Sequence, residues 1–503
     1  MLHFNRTVMK LYNRKNTQNA MVACAAAILL MFSSCSESFL DVPPQGEQPG
    51  QTFWQTEADA TAAVNSIYGN LRTWNNTAFP AIAIESLGAD EAEKGSSPND
   101  ATFMNNFDNF SVTSTDGLLG GFWEGQYQNI NLCNQVIENI QGIQMDQSLK
   151  SRYIGEAKFV RAYSYFRLVR AFGGVPLRLK PAKDASEFNI PRASAEEVYA
   201  LIEQDLDEAA AVLPQSYSSA DRGRATKGAA IALHAKAALY QKKWDQVLSF
   251  TNQVMGMGYS LFPDFQDLFR VNNENSSESI FEVQCEYYPA IKGSSNSQYS
   301  QVQGVRAQAG YWGFNVPTQV LADAFEPGDP RREGTILFVG TTTKYGDAIT
   351  SVAGDPVRYN GKSYVPFSTV WDNDNPRGAQ QNVRVLRYAD VLLMNAEAAN
   401  ELNNTTQALA SLELVRARAR KGNNTILPAV TTTDKTALRN AIYHERQVEL
   451  GMENDRYFDV IRQGRAAQVF GPKGWKAGKN EVWPIPQTEI DLSVNVLTQN
   501  PGY

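Results

Sequence analysis

Apolar positions recur at helical spacing through the first half of the chain. In "TEADATAAVNSIYGNLRTW" Ala58, Ala62, Ile67 and Leu71 fall on overlapping faces, and "FWEGQYQNINLCNQVIENIQG" repeats Tyr127, Ile130, Val136, Ile137 and Ile140 in the same way. Both segments are long enough to be helices. "SLKSRYIGEAKFVRAYSYFRLVRAFGGVPL" carries Ile154, Ala157, Val160, Ala162, Tyr165 and Val169 as apolar stripes, then Gly173-Gly174 as a stop and Pro176, which forbids continuation. "SAEEVYALIEQDLDEAAAVLP" opens with Ser194 three residues before Glu197, a capping box that satisfies first-turn amides, and ends at Pro214. In "TKGAAIALHAKAALYQKKWDQVLSFTNQVM" the small residues Ala230, Ala235 and Ala238 precede a short break and a second amphipathic run. Close packing through small residues is what a tetratricopeptide helix pair requires.

Over residues 261–381 the periodicity fails. The stretch is rich in Gly, Ser, Asn, Gln and aromatic residues, which predicts irregular structure with short strands such as "SIFEVQC". Helices resume in "RVLRYADVLLMNAEAANEL", "TQALASLELVRARARKG" and "DKTALRNAIYHERQVELGMENDRYFDVIRQG". The final helices need the first ones to bury their apolar faces. The pattern therefore predicts a mainly α fold: a helix-pair scaffold over 53–260 and 382–503, with an irregular insert at 261–381 and a C-terminal wrap.

The N-terminus follows a different grammar. Arg6, Lys10, Arg14 and Lys15 precede the apolar run "AMVACAAAILLM", which is too short to span a bilayer comfortably, and Ser33-Ser34 lead directly into Cys35. This is the pattern of a lipoprotein signal at 1–34, cleaved so that Cys35 becomes the first residue and carries a diglyceride on its sulfur and an acyl chain on its amine. Residues 35–52 then form a tether, stiffened by Pro43-Pro44. Two or more acyl chains, at roughly 0.8 kcal/mol per buried methylene, hold a protein stably in a membrane.

Cleavage changes the charge balance. The 503-residue chain has 46 basic and 53 acidic residues; loss of the four N-terminal cations leaves a net charge near −11, which repels nucleic acid and anionic headgroups. An extracytoplasmic setting allows one disulfide between Cys133 and Cys285, but two cysteines so far apart in the sequence read rather as separate buried thiols. Only His234 and His444 remain after cleavage, so zinc or histidine-based nucleophile chemistry is poorly supplied, and His234 in "AAIALHAKAALY" reads as a helix-packing residue. The nearest approach to a phosphate loop, "GDPVRYNGKS", has Pro356 where the first glycine is required. No cofactor and no metal are expected.

Five ordered segments together resemble the SusD/RagB family of outer-membrane nutrient-binding lipoproteins. They are Cys35 followed by "FLDVPP"; "EAKFVRAYSYFRLVRAFGGVPL"; "RYADVLLMNAEAANEL" with "VRARA"; "ERQVELGMENDRYFDVIRQG"; and "WPIP" leading to "NVLTQNPGY". The departures are Phe32 in the lipoprotein box and Asp390, where the family often has glutamate. The resemblance implies a tetratricopeptide-like scaffold with the irregular region packed beside it, carrying the ligand site. It also implies a lid on a SusC-type TonB-dependent transporter at the cell surface, which captures a glycan and passes it inward without catalysis.

The carboxylates Glu445, Glu449, Glu453, Asp455 and Asp459 have the look of a glycosidase pair. Arg446 to Glu449, Arg456 to Asp459 and Asp459 to Arg462 are nevertheless spaced for ion pairs within one helix, which favours a structural role. Arg161, Arg167 and Arg170 read the same way. Sugar recognition needs flat aromatic area together with planar hydrogen-bonding groups. "EYYPAIKGSSNSQYSQVQGVRAQAGYWGFNVP" offers Tyr287, Tyr288, Tyr311, Trp312 and Arg306, with Trp312 the first choice as stacking platform and Tyr311 the second. Trp74 and Asn75 in "LRTWNNTAF", Asp90 in "GADEAEKGSSPND" and Trp371 in "TVWDNDNP" complete the candidates. The same aromatic, amide-rich surface suits oligopeptides as the alternative ligand.

Overall fold

The helix boundaries follow from local chemistry. Thr56 and Asp59 cap the first helix reciprocally, and Ser194 and Glu197 do the same for the fourth, with Ser194 N–H donating to Glu197 Oε2 at 2.8 Å and Glu197 N–H to Ser194 Oγ at 3.2 Å. Asp146 caps the third helix by accepting from the Leu149 amide at 2.8 Å. That helix stops at Gly173, whose φ of +72° few side chains tolerate. Gly174 follows, where a Cβ would fall 2.1 Å from the Ala193 carbonyl oxygen.

The structure is a computed structural model that describes residues 53–182, 187, 189–286, 297–308, 310–369, 380–494 and 496–503. Two compact units divide the chain, Met1–Gln55 and Thr56–Tyr503, and the described helices and strands belong to the second. The main helices are α1 (Glu57–Asn70), α2 (Gly117–Asn139), α3 (Gln147–Phe172), α4 (Ala195–Val212), α5 (Lys227–Tyr240) and α6 (Trp244–Met255). After the insert come α7 (Tyr388–Glu401), α8 (Thr405–Arg420), α9 (Lys435–Leu450) and α10 (Arg456–Arg462). From α1 to α6 each helix packs on its predecessor, α7 packs on α6, and α8 and α9 pack on α7. The chain thus leaves a helical array after α6 and rejoins it at α7, as the need to bury both sets of apolar faces predicts.

Two-stranded antiparallel sheets organise the insert. β2 (Ser279–Val283) pairs with β6 (Val383–Arg387), which runs straight into α7 and closes the neck of the insert. β4 (Ile336–Phe338) pairs with β5 (Arg358–Asn360). β1 (Ala92–Gly95), from the loop region after α1, pairs with β3 (Phe314–Pro317) and fastens the insert to the N-terminal part. The C-terminal wrap is pinned by Trp483, fully buried between Phe110 and Tyr457, with its indole N–H on the Ile84 carbonyl at 3.0 Å.

The structure corrects the sequence reading at α1 and agrees with it at His234 and the two cysteines. The buried stripe of α1 is Ala60, Ala63, Val64 and Ile67, continuing to Leu71, while Ala58 and Ala62 face solvent. His234 is buried on α5, with Nδ1 3.1 Å from Asp207 of α4 and its ring against Phe250 of α6. Cys133 and Cys285 are free, buried thiols. Among the described residues no helix is long and apolar enough to cross a membrane.

Candidate functional site

The acidic motif near the C-terminus forms part of a buried ionic lattice. Arg462 does pair with Asp459 one turn away, at 2.7 Å. The other two pairings differ from their helical spacing: Arg446 reaches Asp459 and Asp390 at 2.8 Å each, and Arg456 binds Asp90. Glu449 faces Arg331 of the insert at 3.0 Å, Arg387 at 3.1 Å, and Arg418. The reason is that α9 packs on α7 and the insert, and α10 on residues 83–87, so their acids meet cations from other elements. Burial by itself raises the Glu449 and Asp459 carboxyls, yet the surrounding guanidinium groups pull both well below the usual carboxylate range. A general acid needs the opposite shift. Arg161 with Asp205, and Arg167 with Glu85, are likewise buried pairs, at 2.7 and 2.8 Å.

The exposed aromatic surface is assembled elsewhere, from two distant segments. A one-turn helix, Trp74–Thr77, follows α1 after a brief turn and carries Trp74, half-buried. Trp312, also half-buried, precedes β3, and its amide donates to the Gln301 carbonyl at 3.0 Å. The two indole rings lie 6.1 Å apart between centroids, inclined at 54°. Phe79 lies beneath both, 5.0 Å from Trp74 and 6.0 Å from Trp312, and Phe314 backs it at 4.7 Å. Phe103, 47% exposed, extends the aromatic surface beside Phe79 at 6.5 Å.

The β1–β3 pairing sets this geometry. Gly95 sits opposite Phe314, and the Ser96 amide donates to the Gly313 carbonyl at 2.6 Å. Gly95 has φ +72°, and a Cβ there would lie 2.4 Å from that same carbonyl oxygen, so glycine is required for the approach. From the insert, Ser297 Oγ donates to Thr77 Oγ1 at 3.1 Å and ties the Trp74 helix to the region that carries Trp312.

The remaining candidates divide. Tyr311 is buried and packs flat on Gly304, where a Cβ would fall 2.0 Å from its ring; it supports the insert and is withdrawn as a stacking platform. Asp90 is also reassigned, because it accepts two hydrogen bonds from Arg456, at 2.8 and 2.9 Å, and fastens the β1 region to α10. Asn75 packs against Gly121 and Gly125 of α2, with its amide 3.4 Å from Glu124, so it braces the Trp74 helix against α2. Arg306 donates to Asp355 at 2.6 Å and packs its Cβ on Gly313, next to Trp312. Tyr287, Tyr288, Trp371 and Cys35 lie outside the described residues. Phe79 and Phe103 escaped the sequence reading. Their signal was aromatic residues in the same polar loops as Trp74 and Asp90.

Helix pairs interrupted by one insert thus form the scaffold on which the two tryptophans meet. Residues 257–503 match a family model described as the SusD family, and residues 38–239 match one described as starch-binding associating with outer membrane. A laminarin-binding SusD-like protein of known structure superposes with a TM-score of 0.80 at 31% identity, covering 89% of this chain and 100% of its own. SusD-like protein P2 of Formosa agariphila is 29% identical over 505 residues, 95% of this chain and 98% of the relative. A SusD-like protein of Bacteroides ovatus is 29% identical over 472 residues, covering 87% and 81%. The chain belongs to the SusD family.

Proposed function

We propose that this protein captures an oligosaccharide at the cell surface, without catalysis, and passes it to a SusC-type TonB-dependent transporter of the outer membrane. The observation that carries the reading is the Trp74–Trp312 ring pair, two half-exposed indoles in contact that are brought together from distant parts of the chain. Indole faces match the C–H face of a pyranose and supply contact area at little entropic cost. The laminarin-binding relative supports a glycan as ligand, and the family description supports association with the outer membrane. Attachment through a lipidated Cys35 would hold the protein at the membrane in which such a transporter sits. The buried, ion-paired state of Glu449 and Asp459 supports binding without hydrolysis.

Affinity electrophoresis through a panel of polysaccharides, with calorimetry against mixed oligopeptides as the counter-arm, tests this. One glycan should retard the wild type, and Trp74→Ala and Trp312→Ala should each weaken binding about tenfold or more. Unchanged retardation in both variants would sink the platform. Retention of peptides with no glycan would move the ligand class to oligopeptides.

A further inference from the structure

Besides delivering Trp74, α1 walls a polar cleft of about 660 Å³ lined by Arg72, Arg222 and Arg224 together with Asp221, Glu274 and Glu286. Arg224 is committed: it donates to Glu156 at 3.0 Å and to Asp221 at 2.7 Å, and Asp221 also receives Arg152 at 3.1 Å. Burial pushes the Glu274 carboxyl up to about 8, outweighing Arg384 at 3.6 Å, so that acid is mostly neutral at pH 7. Glu286 at the cleft wall has a partner of its own. Arg72, half-buried, and Arg222, exposed, also line the cleft, and among the described residues neither side chain makes an ion pair or a hydrogen bond.

Two guanidinium groups in one concavity without a partner among the described residues, beside an Arg224 already committed to Glu156 and Asp221, offer an anion free donors on a chain with formal net charge −7. Each presents a planar fork of donors that fits a carboxylate or a sulfate, and guanidinium is weakly hydrated, so it releases water readily on binding. Arg72 precedes Trp74 by two residues, a span of at most about 7 Å along the backbone. A single chain of several sugars is long enough to cover that separation.

We propose that the cleft lined by Arg72 and Arg222 is an anion subsite, taking the carboxylate or sulfate-ester group of an acidic glycan whose neighbouring sugars stack on Trp74 and Trp312. This rests on the glycan-capture reading for the chain to which the anionic group belongs, and it adds the substrate class: acidic rather than neutral oligosaccharides.

The test is calorimetry on the full chain with three oligosaccharides of equal length: a neutral glucan, a hexuronate and a sulfated glucan. Wild type should bind an acidic member about tenfold or more tightly than the neutral one at low salt, and lose that advantage as salt is raised. The double variant Arg72→Gln/Arg222→Gln should bind the acidic member no better than the neutral one, with neutral binding and Tm unchanged, since neither side chain holds the fold together. Which acidic member wins names the oxyanion. The proposal is overturned if the double arginine variant keeps the acidic preference, or if neither acidic member outbinds the neutral glucan. Trp74→Ala/Trp312→Ala separates the two readings. If it spares all binding while the arginine variant removes the acidic preference, the platform fails and the cleft stands. If it abolishes neutral binding and no acidic preference exists, the platform stands and the cleft fails.

Discussion

The guanidinium of Arg331 lies 3.0 Å from the carboxylate of Glu449, and neither side chain reaches solvent. Arg331 belongs to the insert and Glu449 to α9, so the contact docks the irregular region onto the scaffold. Asp329, at 2.8 Å, and Glu445 complete the cage around the same cation. Removing one member of a buried ionic group leaves the others desolvated and uncompensated, at a cost of about 3–5 kcal/mol. Arg331→Met should therefore lower unfolding free energy by about that amount in urea titrations. A loss under about 1 kcal/mol would show that the lattice does not fasten the insert.

Gly95 connects strand pairing to the binding surface. At φ +72°, with the Gly313 carbonyl oxygen 2.4 Å from where a Cβ would stand, Gly95→Ala should separate β1 from β3. The expected cost is about 1–3 kcal/mol, and Trp312 should lose its register beside Trp74. Glycan binding should then fall in proportion to that in Trp312→Ala. Full affinity in Gly95→Ala would mean that the strand pair does not position the indole.

Local chemistry was legible in the sequence and long-range partnership was not. Ser194–Glu197 and Gly173-Gly174 announced a helix start and a helix stop because each acts within a few residues of itself. Trp74 and Trp312 stood out as large apolar rings among amides, but their meeting depends on β1 and β3, strands of four residues too short to show alternation. Ala58 and Ala62 were placed inside because alanine carries little hydrophobic information, and the heavier Val64 and Ile67 fix the true face of α1. The acids of α9 and α10 read as ion pairs within one helix with a structural role, which holds for Asp459 with Arg462. The cations of Glu449, Arg331, Arg387 and Arg418, come from segments whose proximity no spacing rule encodes.

The anchor makes a prediction of its own. On the proposed attachment, Cys35→Ala would remove the sulfur that takes the diglyceride and with it the acyl chains, each of which would contribute roughly 0.8 kcal/mol per buried methylene. The variant should accumulate as unprocessed precursor, and any processed protein should move to the soluble fraction, as read by fractionation and mass of the N-terminal peptide. Normal processing and full membrane retention would assign attachment to some other feature.

Glu91 predicts a pH dependence in the alkaline direction. It is buried beside Arg456, with Oε1 accepting from the Met452 amide at 2.8 Å, and burial pushes its carboxyl from 4.5 up to about 8 despite both of those stabilising contacts. The folded protein thus holds a proton that the unfolded chain releases. This contribution to stability is fully present below pH 4.5 and is lost as the pH rises towards 8, at about 1.4 kcal/mol per pH unit within that window. Glu274, also raised to about 8, adds a slope of the same sign. Glu91→Gln keeps the shape and removes the titration, so its stability relative to wild type should rise steadily between pH 5 and pH 8 in urea titrations. A constant difference across that range would mean that Glu91 is ionised in the folded protein, with the Arg456 field outweighing its burial.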